Sequence, residues 1–148
     1  MGLYYEDFFE GQEFITPART ITETDVVQFA GLSGDYNVIH TDEEFSKNTR
    51  FGSRIAHGLL GVSVVTGLMA RTGIFEGTAV ALLGIDKWRF LKPILIGDTV
   101  SCRIVIRGKR LTSNKHYGII FRDFELKNQR GELVQTGSMN VMVLAKGE

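Results

Sequence analysis

The sequence predicts an α+β fold in which an antiparallel sheet curls around one long helix. Residues His57 to Arg71 are almost all apolar or small, which is typical of a helix buried on every side. From Ala79 onward the pattern changes to long strands, and strands that follow one buried helix favour a sheet wrapped around it. At 148 residues the chain is expected to form a single domain, residues 1–148.

The chain before the buried helix is predicted to hold short elements. A short strand is expected over Glu13–Ile21, interrupted by Pro17, because proline suits a sheet edge and not a central strand. The polar run Thr22–Asp25 has the spacing of a capping box. It predicts a helix from about Glu23 to Leu32, which Ser33-Gly34 should end.

A second pair of local signals surrounds His40. Gly34–Asn37 has the composition of a turn. Thr41–Glu44 has the form of another capping box and predicts a short helix that reaches about Asn48. His40 is therefore expected in a loop just before a helix cap, where helices on both sides hold it in place.

The C-terminal half alternates between apolar and polar residues in several runs, as half-buried strands do. Cys102, on the apolar side of one such strand, is expected to be inert core. The predicted strands are Ala79–Leu91, Val100–Ile106, His116–Leu126 and Glu132–Ala145.

Composition excludes several classes of function. Lys plus Arg and Asp plus Glu each number 17, and this zero net charge argues against nucleic acid or an anionic membrane as a partner. The apolar run Ile55–Ala70 is shorter than the roughly 20 residues of a membrane span. One cysteine permits no internal disulfide, and the N-terminus lacks a secretory pattern, so the cytoplasm is expected.

Two neighbouring features carry the predicted chemistry. Asp35 and His40 place a carboxylate and an imidazole five positions apart in a polar turn. The run Arg54–Gly58 opens the buried helix, whose free N–H groups and dipole favour negative charge. An acid–base pair beside such a helix start suits chemistry next to a carbonyl. The histidines and Cys102 match no zinc spacing, so neither a metal nor a cofactor is expected.

Three runs of the chain resemble the MaoC-like dehydratases, and in particular their (R)-specific enoyl-CoA hydratase group. Phe29–His40 resembles the family signature of Gly-Asp-x-Asn followed by an aliphatic residue and His. Ile55–Gly58 resembles the family's His-Gly step at the head of its central helix, and Trp88–Pro93 followed by Gly97-Asp98 resembles its strand and turn. Val38 departs from the pattern, which has proline there.

The resemblance implies a hot-dog fold, a homodimer or higher homo-oligomer with sheets joined edge to edge, and a thioester of CoA or acyl carrier protein as substrate. It further implies reversible hydration of trans-2-enoyl-CoA to (R)-3-hydroxyacyl-CoA. Chain length and physiological direction stay open.

The resemblance also implies a set of site residues. Asp35 and His40 match the pair that holds and activates water, and the backbone N–H of Gly58 matches the oxyanion donor. For Thr66 the alternative is a hydrogen bond to the carbonyl one turn back. For His57 the alternatives are a packing role and a direct acid–base role. Three residues are expected to support the pair: Asn37, Thr66 and His57.

Two rival functions share the predicted fold. A hot-dog thioesterase would be expected to carry an acid on or near the central helix, and Gly58–Ala70 contains no Asp or Glu. A non-catalytic subunit that binds acyl thioesters would be expected to have lost Asp35 or His40, and both are present. The site and not the fold separates these functions.

Overall fold

The computed structural model of the chain describes residues 1–147. It contains a six-stranded antiparallel sheet with strand order β1-β4-β5-β6-β3, and the short β2 pairs with β4. The strands are β1 (Glu13–Ile15), β2 (Arg19–Thr20), β3 (Ala79–Phe90), β4 (Thr99–Leu111), β5 (Tyr117–Lys127) and β6 (Leu133–Leu144). The helices are α1 (Glu23–Ser33), α2 (Val38–Thr41), α3 (Glu43–Lys47) and α4 (Gly58–Ala70).

The predicted helix and sheet form one core, which confirms the hot-dog arrangement. Val65 and Leu68 of α4 belong to the same buried cluster as Ile104 and Phe124 of the sheet. Residues of β4 and β5 alternate between buried and partly exposed, so each strand presents one face to the helix. Among residues 1–147, no helix is long and apolar enough to cross a membrane.

The prediction that α4 is buried on every side is wrong. Leu59 is 64% exposed, and Ser63, Gly67 and Ala70 are exposed along the same stripe of the helix. The stripe is open because the sheet covers one side of α4 and the short helices cover only part of the other. The edge strand β3 is also open and exposes apolar side chains: Val80, Leu82, Leu83, Ile85 and Phe90.

The first capping box is confirmed and the second is shifted by one residue. Thr22 caps α1 and exchanges hydrogen bonds with Asp25, as the pattern predicts. The cap of α3 is Asp42, whose carboxylate accepts from the N–H of Phe45. Thr41 does not cap this helix, because its hydroxyl donates to backbone carbonyls of the preceding turn.

His40 does not lie in an irregular loop, contrary to the prediction. It belongs to the one-turn helix α2, which Asn37 caps by accepting from the N–H of Ile39. A single turn has little stability of its own, since nucleating a helix is unfavourable. The position of His40 therefore depends on what holds α2 from outside.

Candidate active site

Asp35 and Asn37 form a linked turn ahead of α2. One carboxylate oxygen of Asp35, Oδ1, accepts from the N–H of Asn37 at 3.2 Å. The side-chain oxygen of Asn37 then accepts from the N–H of Ile39 at 3.2 Å. This arrangement uses one oxygen of Asp35 in the turn and leaves Oδ2 directed toward His40.

The hydrogen bonds of His40 determine its tautomer. Its Nδ1 lies 2.7 Å from the carbonyl oxygen of Ile55, which can only accept, so Nδ1 carries the proton. In the neutral ring Nε2 is therefore an acceptor, and it faces Asp35 Oδ2 at 3.9 Å. Two acceptors at that distance do not bond to each other, but one water molecule can donate to both.

His57 holds the backbone of Asp35 from the other side. Its Nε2 lies 2.9 Å from the carbonyl oxygen of Asp35, so this nitrogen is the donor. The ring is 3% exposed and stacks on the ring of His40, with centroids 3.8 Å apart. Within residues 1–147 the buried Nδ1 of His57 has no hydrogen-bond partner. These contacts fix the two ends of the Asp35–His40 pair relative to each other.

Asp35, His40 and His57 lie close enough together to be considered as metal ligands. One donor atom from each of Asp35, His40 and His57 lies within 4.8 Å of the others. The two imidazole rings are stacked at 26° with centroids 3.8 Å apart, so their lone pairs lie in two separate, nearly parallel planes, and one ion cannot lie in both planes. Nε2 of His57 is also occupied by the carbonyl of Asp35. The cluster therefore suits a bound water better than a chelated metal.

Gly58 is the first residue of α4. The helix start has no side-chain cap, which leaves its first N–H groups free of a capping side chain. A Cβ atom at Gly58 would lie 2.8 Å from the ring of Phe90, so a larger residue at this position would displace that ring. His40 and Gly58 both line a pocket of about 380 Å³, with Phe90 and Lys92 at its rim.

Thr66 and Cys102 lie apart from this cluster. The hydroxyl of Thr66 donates to the carbonyl of Ser63 at 2.6 Å, within α4. No hydrogen bond joins it to Asp35 or His40 in the described part of the chain. Burial raises the pKa of the Cys102 thiol to about 12, which keeps it protonated and unreactive.

Arg54 connects the elements around His40. Its guanidinium pairs with Glu23 at the start of α1 and with Glu43 at the start of α3. These hydrogen bonds, to Glu43 first and Glu23 second, raise the pKa of Arg54. The next residue, Ile55, supplies the carbonyl that orients His40. No local pattern predicts such a contact, because it joins residues far apart in the chain.

A family model described as MaoC like domain matches residues 8–121, which is more than half of the chain. The chain belongs to the MaoC-like dehydratase family. This MaoC-like protein is 35% identical over 144 residues to an (R)-specific enoyl-CoA hydratase of Rhodospirillum rubrum, covering 97% of this chain and 94% of that one. It is 34% identical over 104 residues to a 3-hydroxybutyryl-CoA dehydratase of Methylorubrum extorquens, covering 70% and 64%. A Klebsiella aerogenes protein named MaoC is 36% identical over 72% of this chain, which spans 31% of that longer protein.

Solved structures agree with the family. An Archaeoglobus protein described as a monoamine oxidase regulatory protein superposes with a TM-score of 0.90 at 35% identity, covering 98% of this chain and 96% of that one. The (R)-hydratase of Aeromonas caviae superposes at 0.75 with 27% identity, covering 95% and 98%. Hydratases and dehydratases run one reaction in opposite directions, and the MaoC-like protein is a hydro-lyase of this kind.

Proposed function

We propose that the MaoC-like protein catalyses the reversible hydration of a trans-2-enoyl-CoA to the (R)-3-hydroxyacyl-CoA. The observation that carries this proposal is the pairing of His40 Nε2 with Asp35 Oδ2 across 3.9 Å, beside the pocket that Gly58 also lines. The names of the relatives, an (R)-specific enoyl-CoA hydratase among them, support this substrate class.

The chemistry follows from the donor and acceptor pattern of the site. A water that donates to Asp35 and His40 has its oxygen free to attack C3 of the enoyl group. As the C3–O bond forms and the C2–C3 π bond breaks, the pair takes one proton from the water, and the pair then delivers that proton to C2. The two groups interact closely, so the acid and base roles belong to the pair and not to either residue.

Gly58 acts on the charge that this step creates. Negative charge grows on the thioester oxygen before C2 is protonated. The N–H of Gly58 at the start of α4, with the positive end of the helix dipole, is suited to stabilise it. Asn37 and His57 support the pair by holding the turn and the backbone of Asp35.

The pocket favours a thioester with a polar carrier. Arg50 and Lys92 lie at its rim and place cations near the entrance, although Lys92 also pairs with Glu132. CoA and acyl carrier protein both present phosphate and the same pantetheine arm, so either carrier fits this rim. Two of the relatives named above carry CoA in their names, and we therefore assign CoA.

The open apolar edge supports a homodimer. Strand β3 has an unpaired side and exposes Leu82, Ile85 and neighbouring apolar side chains. A second copy can pair along this edge antiparallel to the first and continue the sheet, which buries the apolar residues. Sedimentation of wild type and of Ile85→Asp tests the interface, with monomer expected for the variant.

A buried Cys102 without a disulfide partner fits a reducing compartment such as the cytoplasm.

One assay separates the proposed activity from its rivals. Purified protein is mixed with crotonyl-CoA, loss of the enoyl-thioester absorbance is followed, and product handedness is checked with a chiral dehydrogenase. Formation of the (R)-3-hydroxyacyl-CoA supports the proposal. Release of free thiol with the double bond intact identifies a thioesterase. Absence of both signals across a panel of straight, branched and dicarboxylic enoyl-CoA substrates contradicts catalysis and favours a binding subunit.

A further inference from the structure

We propose that Gln135 is a positioning residue for the first turn of α4, and that Trp88 in turn positions Gln135. The proposed function assigns no role to either residue. The kinetic effect expected of them rests on the proposed hydratase activity. The pair is named here the Trp88–Gln135 relay. It connects the edge strand β3, through β6, to the glycine that faces the thioester.

Two hydrogen bonds define the relay and its direction. The indole Nε1 of Trp88 donates to Gln135 Oε1 at 3.0 Å, and indole nitrogen is only a donor. Nε2 of Gln135 is therefore the amide nitrogen that donates to the carbonyl of Gly58 at 3.1 Å. Both partners require the same orientation of the Gln135 amide, so the side chain has one satisfied arrangement.

The backbone on both sides is shaped to admit these two side chains. Between Asp86 and Arg89 the pairing of β3 with β6 shifts by one residue, and Lys87 in this bulge has a positive φ of 51°. The indole passes over Gly137, where a Cβ atom would lie 2.2 Å from its ring. The amide passes over Gly61, where a Cβ atom would lie 2.2 Å from Nε2.

Packing alone does not account for a glutamine at this position. Gln135 is 2% exposed and follows Val134, which is part of the main apolar core. A buried amide is costly unless both of its ends are bonded, whereas an apolar side chain of similar size carries no such requirement. Gln135 also lines the pocket that contains Gly58 and His40. Its bonds therefore act where the substrate is expected.

The relay fixes the helix start at the residue that matters for catalysis. The carbonyl of Gly58 shares a rigid peptide plane with the N–H of Leu59, and the N–H of Gly58 is joined to that plane through a single Cα, so anchoring the carbonyl restricts the rotation of the whole turn. Holding the carbonyl of Gly58 against the sheet keeps this turn from rotating when charge appears on the thioester oxygen. Such preorganised donors act mainly in the transition state, so their loss lowers kcat more than it raises KM.

The test compares two glutamines that make the same kinds of bond. Gln135→Met removes the relay, while Gln129→Met removes a donor bond to Asp98 and an acceptor bond from Thr99 in a turn outside the pocket. With crotonyl-CoA, Gln135→Met is expected to lower kcat about tenfold and to leave KM within about twofold, less than the loss of an oxyanion donor itself. Gln129→Met is expected to keep kcat. An unchanged kcat in Gln135→Met overturns the proposal.

A second readout does not depend on activity. Trp88 is the one tryptophan of the chain, so the intrinsic tryptophan emission reports its indole alone. In ligand-free protein, Gln135→Met is expected to shift this emission and to speed amide exchange in the first turn of α4, and Gln129→Met to do neither. If the wild type fails to hydrate any enoyl-CoA, the proposed function is wrong. The tryptophan emission and the amide exchange still test the Trp88–Gln135 relay in that case. Emission and exchange equal to the wild type in Gln135→Met overturn it.

Discussion

The buried polar groups packed against the two ends of α4 differ in how they are hydrogen-bonded and in whether they lie beside the pocket. At its N-terminal end, His57 and Gln135 are nearly fully buried, and each donates to a backbone carbonyl beside an open pocket. At its C-terminal end, Arg122 is fully buried against Met69 and does not line the pocket that His40 and Gly58 share. Polar groups placed for chemistry therefore lie against one end of α4, and an enclosed charge from β5 lies against the other.

Arg122 is held by weak partners for a guanidinium. Its Nε donates to the carbonyl of Met139 at 3.1 Å. The central carbon of the guanidinium lies over the rings of Phe75 and Phe124, about 5 Å from each ring centroid. Within residues 1–147 its Nη2 has no hydrogen-bond partner and no carboxylate pairs with it. Burial lowers the pKa of Arg122 to about 10.

Burial of a polar side chain therefore does not by itself indicate a functional residue. At the N-terminal end His57 and Gln135 each donate to a backbone carbonyl, and these two bonds act on Asp35 and Gly58. Arg122 is desolvated with only part of its donors used, which costs stability and orients nothing. Substitutions at the N-terminal end should therefore change rates, and those at the C-terminal end should change folding.

The largest effect is expected for the water-binding pair. Asp35→Asn and His40→Gln should each lower kcat/KM by about 10² to 10⁴, because each removes a group that moves a proton in the transition state. The melting temperature should not change for Asp35→Asn, since the Asp35 side chain is 54% exposed and asparagine keeps an oxygen that can accept from the N–H of Asn37. Crotonyl-CoA kinetics and thermal melts of both variants check this. Full activity in either variant contradicts the assignment.

A smaller loss is expected for His57→Phe. The change keeps a ring stacked on His40 and removes the bond to the Asp35 carbonyl, which is worth about 1 kcal/mol, so kcat should fall roughly five- to tenfold. His116→Phe, at an exposed histidine, serves as the control and should keep full activity. A loss for His57→Phe as large as that for Asp35→Asn would instead assign His57 a direct acid–base role.

The opposite kind of effect is expected for Arg122→Met. Replacing an incompletely paired buried cation by an apolar side chain should raise the free energy of unfolding by about 1 kcal/mol and leave kcat unchanged. The folded pKa lies below the unfolded one, so the unfavourable charge is fully present below a pH of about 10 and is relieved only above it. The gain should therefore be the same throughout the neutral range. Urea unfolding at several pH values measures it, and a marked loss of stability would show that the guanidinium is structurally required.

The smallest effect is expected midway along the helix. Thr66→Val removes a hydroxyl that already donates to the carbonyl of Ser63, so kcat should stay within about twofold of the wild type. The same crotonyl-CoA kinetics test this. A tenfold loss would show that Thr66 supports the Asp35–His40 pair, as the family resemblance implies.

The features that sequence predicted are those encoded by neighbouring residues. The capping box at Thr22 and the alternating pattern of β4 depend on short spacings, and both are confirmed. The Asp35 and His40 pair was found because five positions separate its members. The shift of the second cap to Asp42 arose because Thr41 bonds backward in the chain, and the pattern does not show this direction.

The features that sequence missed depend on distant residues meeting. Gln135 stands 47 residues from Trp88, and a bulge turns Trp88 toward it. Arg122 lies in a strand predicted as apolar-rich. It is a charged residue at a buried position, whereas the sequence pattern assigns buried positions of a strand to apolar residues. The open stripe on α4 was missed because an apolar pattern reports what a helix can bury and not how much of it the sheet covers.

The three register irregularities between β3 and β6 bear on what this edge can join. A long, flat and apolar edge is a template for endless stacking of chains into fibrils. Irregular pairing bends the edge and limits the length of strand that stays straight, so an extended run of identical copies fits it poorly. A two-fold pairing of the proposed kind closes on itself and leaves no free β3 edge. We therefore expect the bulges to limit aggregation through this edge, and one of them also places Trp88 against Gln135.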